Sequence, residues 1–129
     1  MGFLDKWSAP LLSILRIVTA LLFIEHGSAK FFHFPPVAMF KGVTPMSFFG
    51  ILGLVEVIAG ALVLIGLGTR WLAFLLSGEM AVAYFTAHAP MSFFPLLNDG
   101  EAAVYFCFAF LYLAAAGPGP WSIDAMRRR

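Results

Sequence analysis

The chain has 129 residues, of which 61% are hydrophobic and only 12% charged, and its mean hydropathy is +0.91. A soluble core of this size is too small to cover so much apolar surface, so the composition predicts an integral membrane protein in contact with the lipid bilayer. The net charge of +1 gives no reason to expect a nucleic-acid partner, and the single cysteine, Cys107, excludes an intrachain disulfide and a CxxC thiol relay.

Four apolar segments follow one another along the chain, and each is close to the ~20 residues that a helix needs to cross the hydrocarbon core. The prolines lie outside these segments or at their ends, as expected of helix breakers. The pattern predicts an all-α fold, a four-helix transmembrane bundle that forms a single domain over residues 1–129. The predicted helices cover approximately residues 12–33, 47–67, 70–88 and 96–116.

The second segment is apolar enough to insert despite its carboxylate. Thirteen Leu, Ile, Val and Phe residues lie between Phe48 and Leu67, and together they favour insertion by roughly 6 kcal/mol. Glu56 opposes insertion by about 3 kcal/mol on the same scale. The balance therefore favours a membrane helix that carries an acidic side chain.

Two sets of residues recur at fixed spacing. Arg16, Glu25 and Pro36 return 54 positions later as Arg70, Glu79 and Pro90, and the segment Met46-Ser47-Phe48-Phe49 with Glu56 returns 45 positions later as Met91-Ser92-Phe93-Phe94 with Glu101. This spacing indicates a tandem parallel repeat of a helix pair, related by a pseudo-two-fold axis along the membrane normal.

The basic residues predict the orientation of the helices. Lys6, Arg16, Arg70 and the arginines at 127–129 fall on one side of the predicted membrane, whereas only Lys30 and Lys41 fall on the other. Both termini are therefore expected in the cytoplasm. The outer side then carries two Phe-rich loops, which are either an aromatic belt or partly re-entrant segments.

Three glutamates are predicted to lie near the membrane midplane. At ~1.5 Å per residue, Glu25, Glu56 and Glu79 come to similar depths, and Glu101 lies nearer the outer surface. Three carboxylates at one level in low dielectric cannot all ionise, so at least one is expected to be protonated or to share a proton with a neighbour. The glutamates therefore either handle protons or serve as interhelical hydrogen-bonding glue.

A polar set in the outer half of the bundle suits the head group of a quinone, whose carbonyl oxygens accept protons from His, Tyr or Glu. The alternative is that each of these polar residues lies at the membrane interface without binding a ligand. No metal site is expected, because the chain has no Glu-x-x-His and a helix would put Glu79 and His88 on opposite faces. The candidate quinone-binding residues are His26, Lys30, Tyr84, His88, Glu101 and Tyr105.

Several motifs resemble those of the DoxX family of membrane proteins. They are the stretches Leu22-Phe23-Ile24-Glu25-His26-Gly27-Ser28-Ala29-Lys30-Phe31, Gly53-Leu54-Val55-Glu56, Gly66-Leu67-Gly68-Thr69-Arg70 and Gly78-Glu79-Met80. The resemblance implies a small, four-helix, multi-pass protein of the bacterial cytoplasmic (inner) membrane. Its relatives include small subunits of a thiosulfate:quinone oxidoreductase and proteins tied to thiol stress.

Three functions stay open at this point. The first is a redox-associated subunit of a quinone-linked oxidoreductase, with quinone as its cofactor and a soluble or membrane redox partner as its electron source. The second is a non-catalytic membrane anchor or scaffold for a redox or stress-response complex. The third is a small proton-coupled transporter, for which the short chain favours a homo-oligomer.

Overall fold

The computed structural model describes residues 1–128, and within that range the chain is helical without any strand. The all-α prediction is therefore confirmed. Short 3-10 turns precede the first helix and lie in the loops at Gly2–Trp7, Ala38–Phe40 and Ala89–Met91. The α-helices are α1 (Ser8–Phe31), α2 (Phe48–Ile65), α3 (Thr69–Ala83), α4 (Pro95–Asn98), α5 (Glu101–Ala116) and α6 (Ile123–Arg127).

Three helical stretches of the described chain are long and apolar enough to cross a membrane: Gly2–Phe31, Phe48–Ile65 and Thr69–Met91. This finding confirms the membrane-helix character of the protein. The fourth long helix, α5, is apolar but has only 16 residues, which corresponds to about 24 Å. The fourth crossing therefore stays a prediction.

Helix α1 begins at Ser8, before the predicted start at residue 12. The difference arises from Pro10, which the sequence pattern treats as a helix breaker. In the structure Pro10 lies in the first turn of α1. Backbone N–H groups in the first turn have no intrahelical acceptor, so the missing N–H of proline removes no hydrogen bond there. The first helix consequently extends past Arg16 toward the amino terminus.

The predicted segments 70–88 and 96–116 are both interrupted at the same end of the molecule. Helix α3 passes into a π-helical turn at Tyr84–His88, and a left-handed residue, Asp99 (φ 59°), separates α4 from α5. The amide of Asn98 fixes this break, because its Oδ1 accepts a hydrogen bond from the backbone N–H of Gly100 at 2.8 Å.

The long helices pack as two pairs, α1 against α2 and α3 against α5. Glycines allow the helices of the first pair to approach closely, since a Cβ atom on Gly27 would lie 2.6 Å from the carbonyl oxygen of Gly53. Such close backbone approach is typical of membrane helix pairs with small residues at the contact. Phe23 of α1 then joins the pairs, since its ring meets those of Phe106 and Phe110 edge-on at centroid distances of 5.6 and 5.0 Å.

Arg16 and Arg70 lie at the end of the molecule that holds the α2–α3 turn, called here the arginine end. Gly66 and Gly68 both adopt positive φ (75° and 67°) in this turn, a conformation that favours glycine. After α5 the chain returns to this end, where α6 lies beside the turn and the backbone N–H of Asp124 donates to the carbonyl of Gly66 at 2.9 Å.

Candidate functional site

A buried ion pair joins the first helix pair. The Nζ atom of Lys30 on α1 lies 2.7 Å from Oε1 of Glu56 on α2, and the Glu56 side chain is 0% exposed. The contact between Gly27 and Gly53 lies beside this pair, because a Cβ atom on Gly53 would also lie 2.6 Å from Cβ of Lys30. The absence of side chains at the two glycines therefore lets a lysine and a glutamate meet across a narrow helix contact.

Glu79 adds a second carboxyl group from the other helix pair. Its side chain is a close neighbour of the Glu56 side chain, and Oε1 of Glu79 and Oε2 of Glu56 are both buried without a hydrogen-bond partner among residues 1–128. Two ionised carboxylates cannot donate to one another. A proton shared between the two carboxyls would supply the missing donor and, with Lys30, would bring the net charge of the three groups to zero.

Glu25 and His26 lie on the exposed face of α1 and not in this buried cluster. The ring of His26 packs edge-on against Phe106 of α5 at 5.3 Å between centroids. His26 remains within electrostatic range of Lys30, Glu56 and Glu25. Of the three predicted midplane carboxyls, the structure thus brings together Glu56 and Glu79 and leaves Glu25 on the surface.

Tyr84 and His88 meet around Asn98, whose side chain is 0% exposed. Nδ2 of Asn98 donates to the hydroxyl of Tyr84 at 3.2 Å and to the carbonyl of Ser92 at 2.9 Å. Nδ1 of His88 lies 2.8 Å from the carbonyl oxygen of Asn98, and because a carbonyl only accepts, this nitrogen carries the hydrogen. These contacts hold the α3–α4 connection in place.

The six residues predicted to bind quinone are spread over four places, of which the exposed face of α1, with His26, is one. Lys30 is in the ion pair, Tyr84 and His88 surround Asn98, and Glu101 and Tyr105 lie on the exposed face of α5. Two open grooves of about 340 and 330 Å³ lie elsewhere. In the part of the chain that the structure describes, no three His, Cys, Asp or Glu side chains are placed to hold a metal ion.

Arg16 and Arg70 each bind carbonyl groups near the carboxyl end of a different helix. Arg16 is 1% exposed, and Arg70 donates through Nη1 to the carbonyls of Ala114 (3.1 Å) and Ala115 at the end of α5. Unpaired carbonyls at a helix carboxyl end attract cations. The guanidinium of Arg16 donates to the carbonyls of Leu64 (3.3 Å), Pro118 and Trp121 (2.7 Å).

Asp124 of α6 caps the amino end of α3 from a distant part of the chain. Its two carboxylate oxygens accept hydrogen bonds from the backbone N–H groups of Gly68 and Thr69, both at 3.0 Å. Burial opposes ionisation of Asp124, but the hydrogen bonds from Thr69 and Gly68 and the nearby charge of Arg127 outweigh it and hold the pKa of Asp124 below 3.8. This contact was not predicted from the sequence, in which only the order Ser-Ile-Asp, a helix-start pattern, marks the position.

These observations define a helical integral membrane protein with a lysine–dicarboxyl cluster between its helix pairs. The sequence model of the DoxX family matches residues 11–89, and the chain belongs to this family. An uncharacterized protein of Haemophilus influenzae is 40% identical in an alignment of 131 positions that covers 96% of each chain. No solved structure matches this chain.

Proposed function

We propose that this DoxX-family protein is a proton-handling subunit of a redox-associated complex in the bacterial cytoplasmic membrane. The observation that carries the proposal is the cluster of Lys30, Glu56 and Glu79, in which a fully buried carboxylate has one cation and one further carboxyl as neighbours. Ionisable groups inside a membrane protein are expensive, and they commonly mark proton pathways.

The cluster has two charge states that differ by one proton. With the proton, the charges of Lys30, Glu56 and Glu79 sum to zero; without it, one uncompensated negative charge remains in a low-dielectric interior. Loss of the proton therefore favours any conformational change that brings a cation or water to Glu56 and Glu79. This property suits a subunit that delivers protons to a reaction on the outer side of the bundle.

Quinone is the proposed proton acceptor, since its reduction consumes protons together with electrons. The chain has one cysteine and no cluster of cofactor-ligating residues in its sequence, so the proposal assigns the electrons to a partner protein. His26 is the most suitable of the predicted quinone-binding residues, because its ring is exposed toward lipid and lies within electrostatic range of Glu56. A head group approaching from the bilayer meets it beside Phe106.

The proposed membrane arrangement has four crossings, a tandem repeat of the helix pair and both termini in the cytoplasm. The parallel roles of the arginines favour it: Arg16 and Arg70 each bind carbonyls near the carboxyl end of the second helix of a pair. A glycine with positive φ ends each of those helices beside the guanidinium, Gly66 (75°) and Gly117 (90°). The positive charges at this end then mark the cytoplasmic side.

Two other functions have specific support. A non-catalytic anchor is favoured by the glycine contact of Gly27 and Gly53, where the ion pair would act as glue between helices. A proton-coupled transporter, assembled as a homo-oligomer, is favoured by the repeat and by the exposed face of α1 that carries Glu25.

Infrared difference spectroscopy on the purified protein tests the proton-handling proposal. The wild type is expected to show the C=O stretch of one protonated carboxyl at neutral pH, and Glu79→Gln should abolish it. Glu25→Gln is the matched control, since Glu25 lies outside the cluster. A wild-type spectrum in which every carboxyl is ionised below about pH 5 would refute the shared proton.

Organic extraction with mass spectrometry separates the three functions. Near-stoichiometric quinone that is lost in His26→Ala supports the redox subunit. No quinone in the wild type, together with proton flux into liposomes that Glu79→Gln abolishes, supports the transporter. No quinone and no flux, with a Glu79→Gln variant of lowered thermal stability, leaves the anchor.

A further inference from the structure

A basic groove opens at the arginine end of the molecule, away from the lysine–dicarboxyl cluster. It has a volume of about 340 Å³, and Gly68 of the α2–α3 turn is one of the residues that line it. We propose that this groove, called here the arginine-end groove, binds the phosphate head group of an anionic phospholipid from the surrounding bilayer. The side chains that line it are Thr69, Arg70, Trp71, Asp124, Arg127 and Arg128.

The groove lies at the level where phospholipid head groups lie. The candidate membrane span Thr69–Met91 starts at the groove, so its mouth is at the boundary between water and lipid. Trp71 stands at this boundary with 80% of its surface exposed. An indole ring in this position is typical of membrane interfaces, because one part is apolar and the N–H is a donor.

The charges in the groove suit a phosphate. Three arginines, Arg70, Arg127 and Arg128, line it against a single carboxylate. That carboxylate, Asp124, accepts hydrogen bonds from the backbone N–H groups of Gly68 and Thr69. The amino end of α3 therefore offsets its negative charge. Guanidinium groups bind phosphate oxygens through paired N–H donors.

Arg70 is held in position for such a contact. Its Nη1 atom donates to the carbonyls of Ala114 and Ala115, which fixes the plane of the guanidinium at the wall of the groove. A guanidinium carries five N–H donors, so the bonds through Nη1 leave the donors on Nε and Nη2. An ordered arginine loses less conformational freedom when it binds a head group than a free side chain does.

The other two arginines are carried on a short helix that the fold itself docks. Ser122 caps α6 by accepting the backbone N–H of Ala125 at 3.1 Å, and Asp124 ties the same turn to Gly68 and Thr69. Arg127 is the last residue of α6, and Arg128 follows it. Specific hydrogen bonds thus hold the helix that carries these arginines beside the groove, which distinguishes it from a free polybasic tail.

Lipid retention by the full-length protein tests the proposal. The protein is purified from membranes or nanodiscs that contain phosphatidylglycerol and phosphatidylcholine, and the bound lipids are quantified by native mass spectrometry. We expect preferential retention of phosphatidylglycerol, reduced about fivefold per arginine removed and hence roughly 25-fold in Arg127→Gln/Arg128→Gln. The matched control, Lys6→Gln/Lys41→Gln, removes two exposed charges outside the groove and should retain the lipid. Equal loss in both double variants would overturn the proposal.

Asp124→Ala distinguishes a built site from diffuse attraction. This substitution makes the protein more positive, so attraction by net charge alone predicts stronger retention of phosphatidylglycerol. The proposed site predicts weaker retention, because α6 loses its attachment to the turn. Stronger retention would overturn the proposal, as would displacement of the lipid by an equal concentration of inorganic phosphate, which would indicate a site for a soluble anion.

Discussion

The Nζ atom of Lys30 lies 2.7 Å from Oε1 of Glu56, and this ion pair crosses the contact between α1 and α2 at a depth where Glu56 has no exposed surface. A salt bridge in such surroundings is stabilising only in comparison with a variant that lacks one partner, because both ions lose their hydration. Its energetic contribution is therefore best measured by removing the partners singly and together.

Lys30→Met is expected to destabilise the protein by about 3–5 kcal/mol, because it leaves the charge of Glu56 buried without a cation. The double variant Lys30→Met/Glu56→Leu should recover most of this loss, since an apolar pair of similar volume needs no hydration. Thermal unfolding in detergent gives both values. Lys41→Met, at an exposed lysine, should change stability little. A double variant that is less stable than both single variants would contradict the expectation.

Glu79→Gln and Glu79→Leu are expected to differ, although both remove the carboxyl. The amide of Gln can donate to the unpaired Oε2 of Glu56, whereas Leu leaves that oxygen buried without a donor. An unsatisfied buried acceptor costs about 1–3 kcal/mol, so Glu79→Leu should unfold at the lower temperature. Equal melting temperatures would show that Glu79 gives no hydrogen bond to Glu56.

Gly53→Ala should separate α1 from α2, because the added methyl group would lie 2.6 Å from Cβ of Lys30. We expect a loss of about 1–3 kcal/mol, the usual range for overpacking. Gly78→Ala is the matched control: Gly78 is also within a helix, but nothing lies within 4 Å of its added Cβ. That variant should be as stable as the wild type or slightly more stable, by up to about 1 kcal/mol. Equal destabilisation by both would argue against the close contact.

The attachment of α6 is expected to weaken in acid. The pKa of Asp124 is held below 3.8 in the folded protein, so its contribution to stability is fully present above that value and is lost as the pH falls through the folded pKa. The stability difference between wild type and Asp124→Ala should accordingly be constant from about pH 7 to pH 5 and shrink toward about pH 3. A difference that stays constant down to pH 3 would contradict the role of the carboxylate.

The helix content was predictable from the sequence, but the helix faces that pack against one another were not. Glu25, Glu56 and Glu79 were expected at one level, and only Glu56 and Glu79 meet. Helix α1 is apolar on nearly all sides, so its sequence gives little indication of which face is buried. Lys30 was predicted among the quinone-binding residues, whereas the structure pairs it with Glu56.

Contacts between distant parts of the chain account for the other differences. Asn98 stops the last predicted helix short by hydrogen bonds to its own loop and to Tyr84, and only the turn pattern Asn-Asp-Gly marks it in the sequence. Tyr84 and His88 were expected to face a quinone, and in the structure both contact Asn98. Such partners depend on the tertiary fold and not on local periodicity.

Arg16 is buried by residues that are synthesised much later than Arg16 itself. Its acceptors Pro118 and Trp121 follow it by 102 and 105 positions in the chain. While α1 enters the bilayer, Arg16 therefore lacks these acceptors, and an uncompensated cation resists translocation. We therefore expect Arg16 to act first as a topogenic signal during biosynthesis and only afterwards as an internal hydrogen-bond donor.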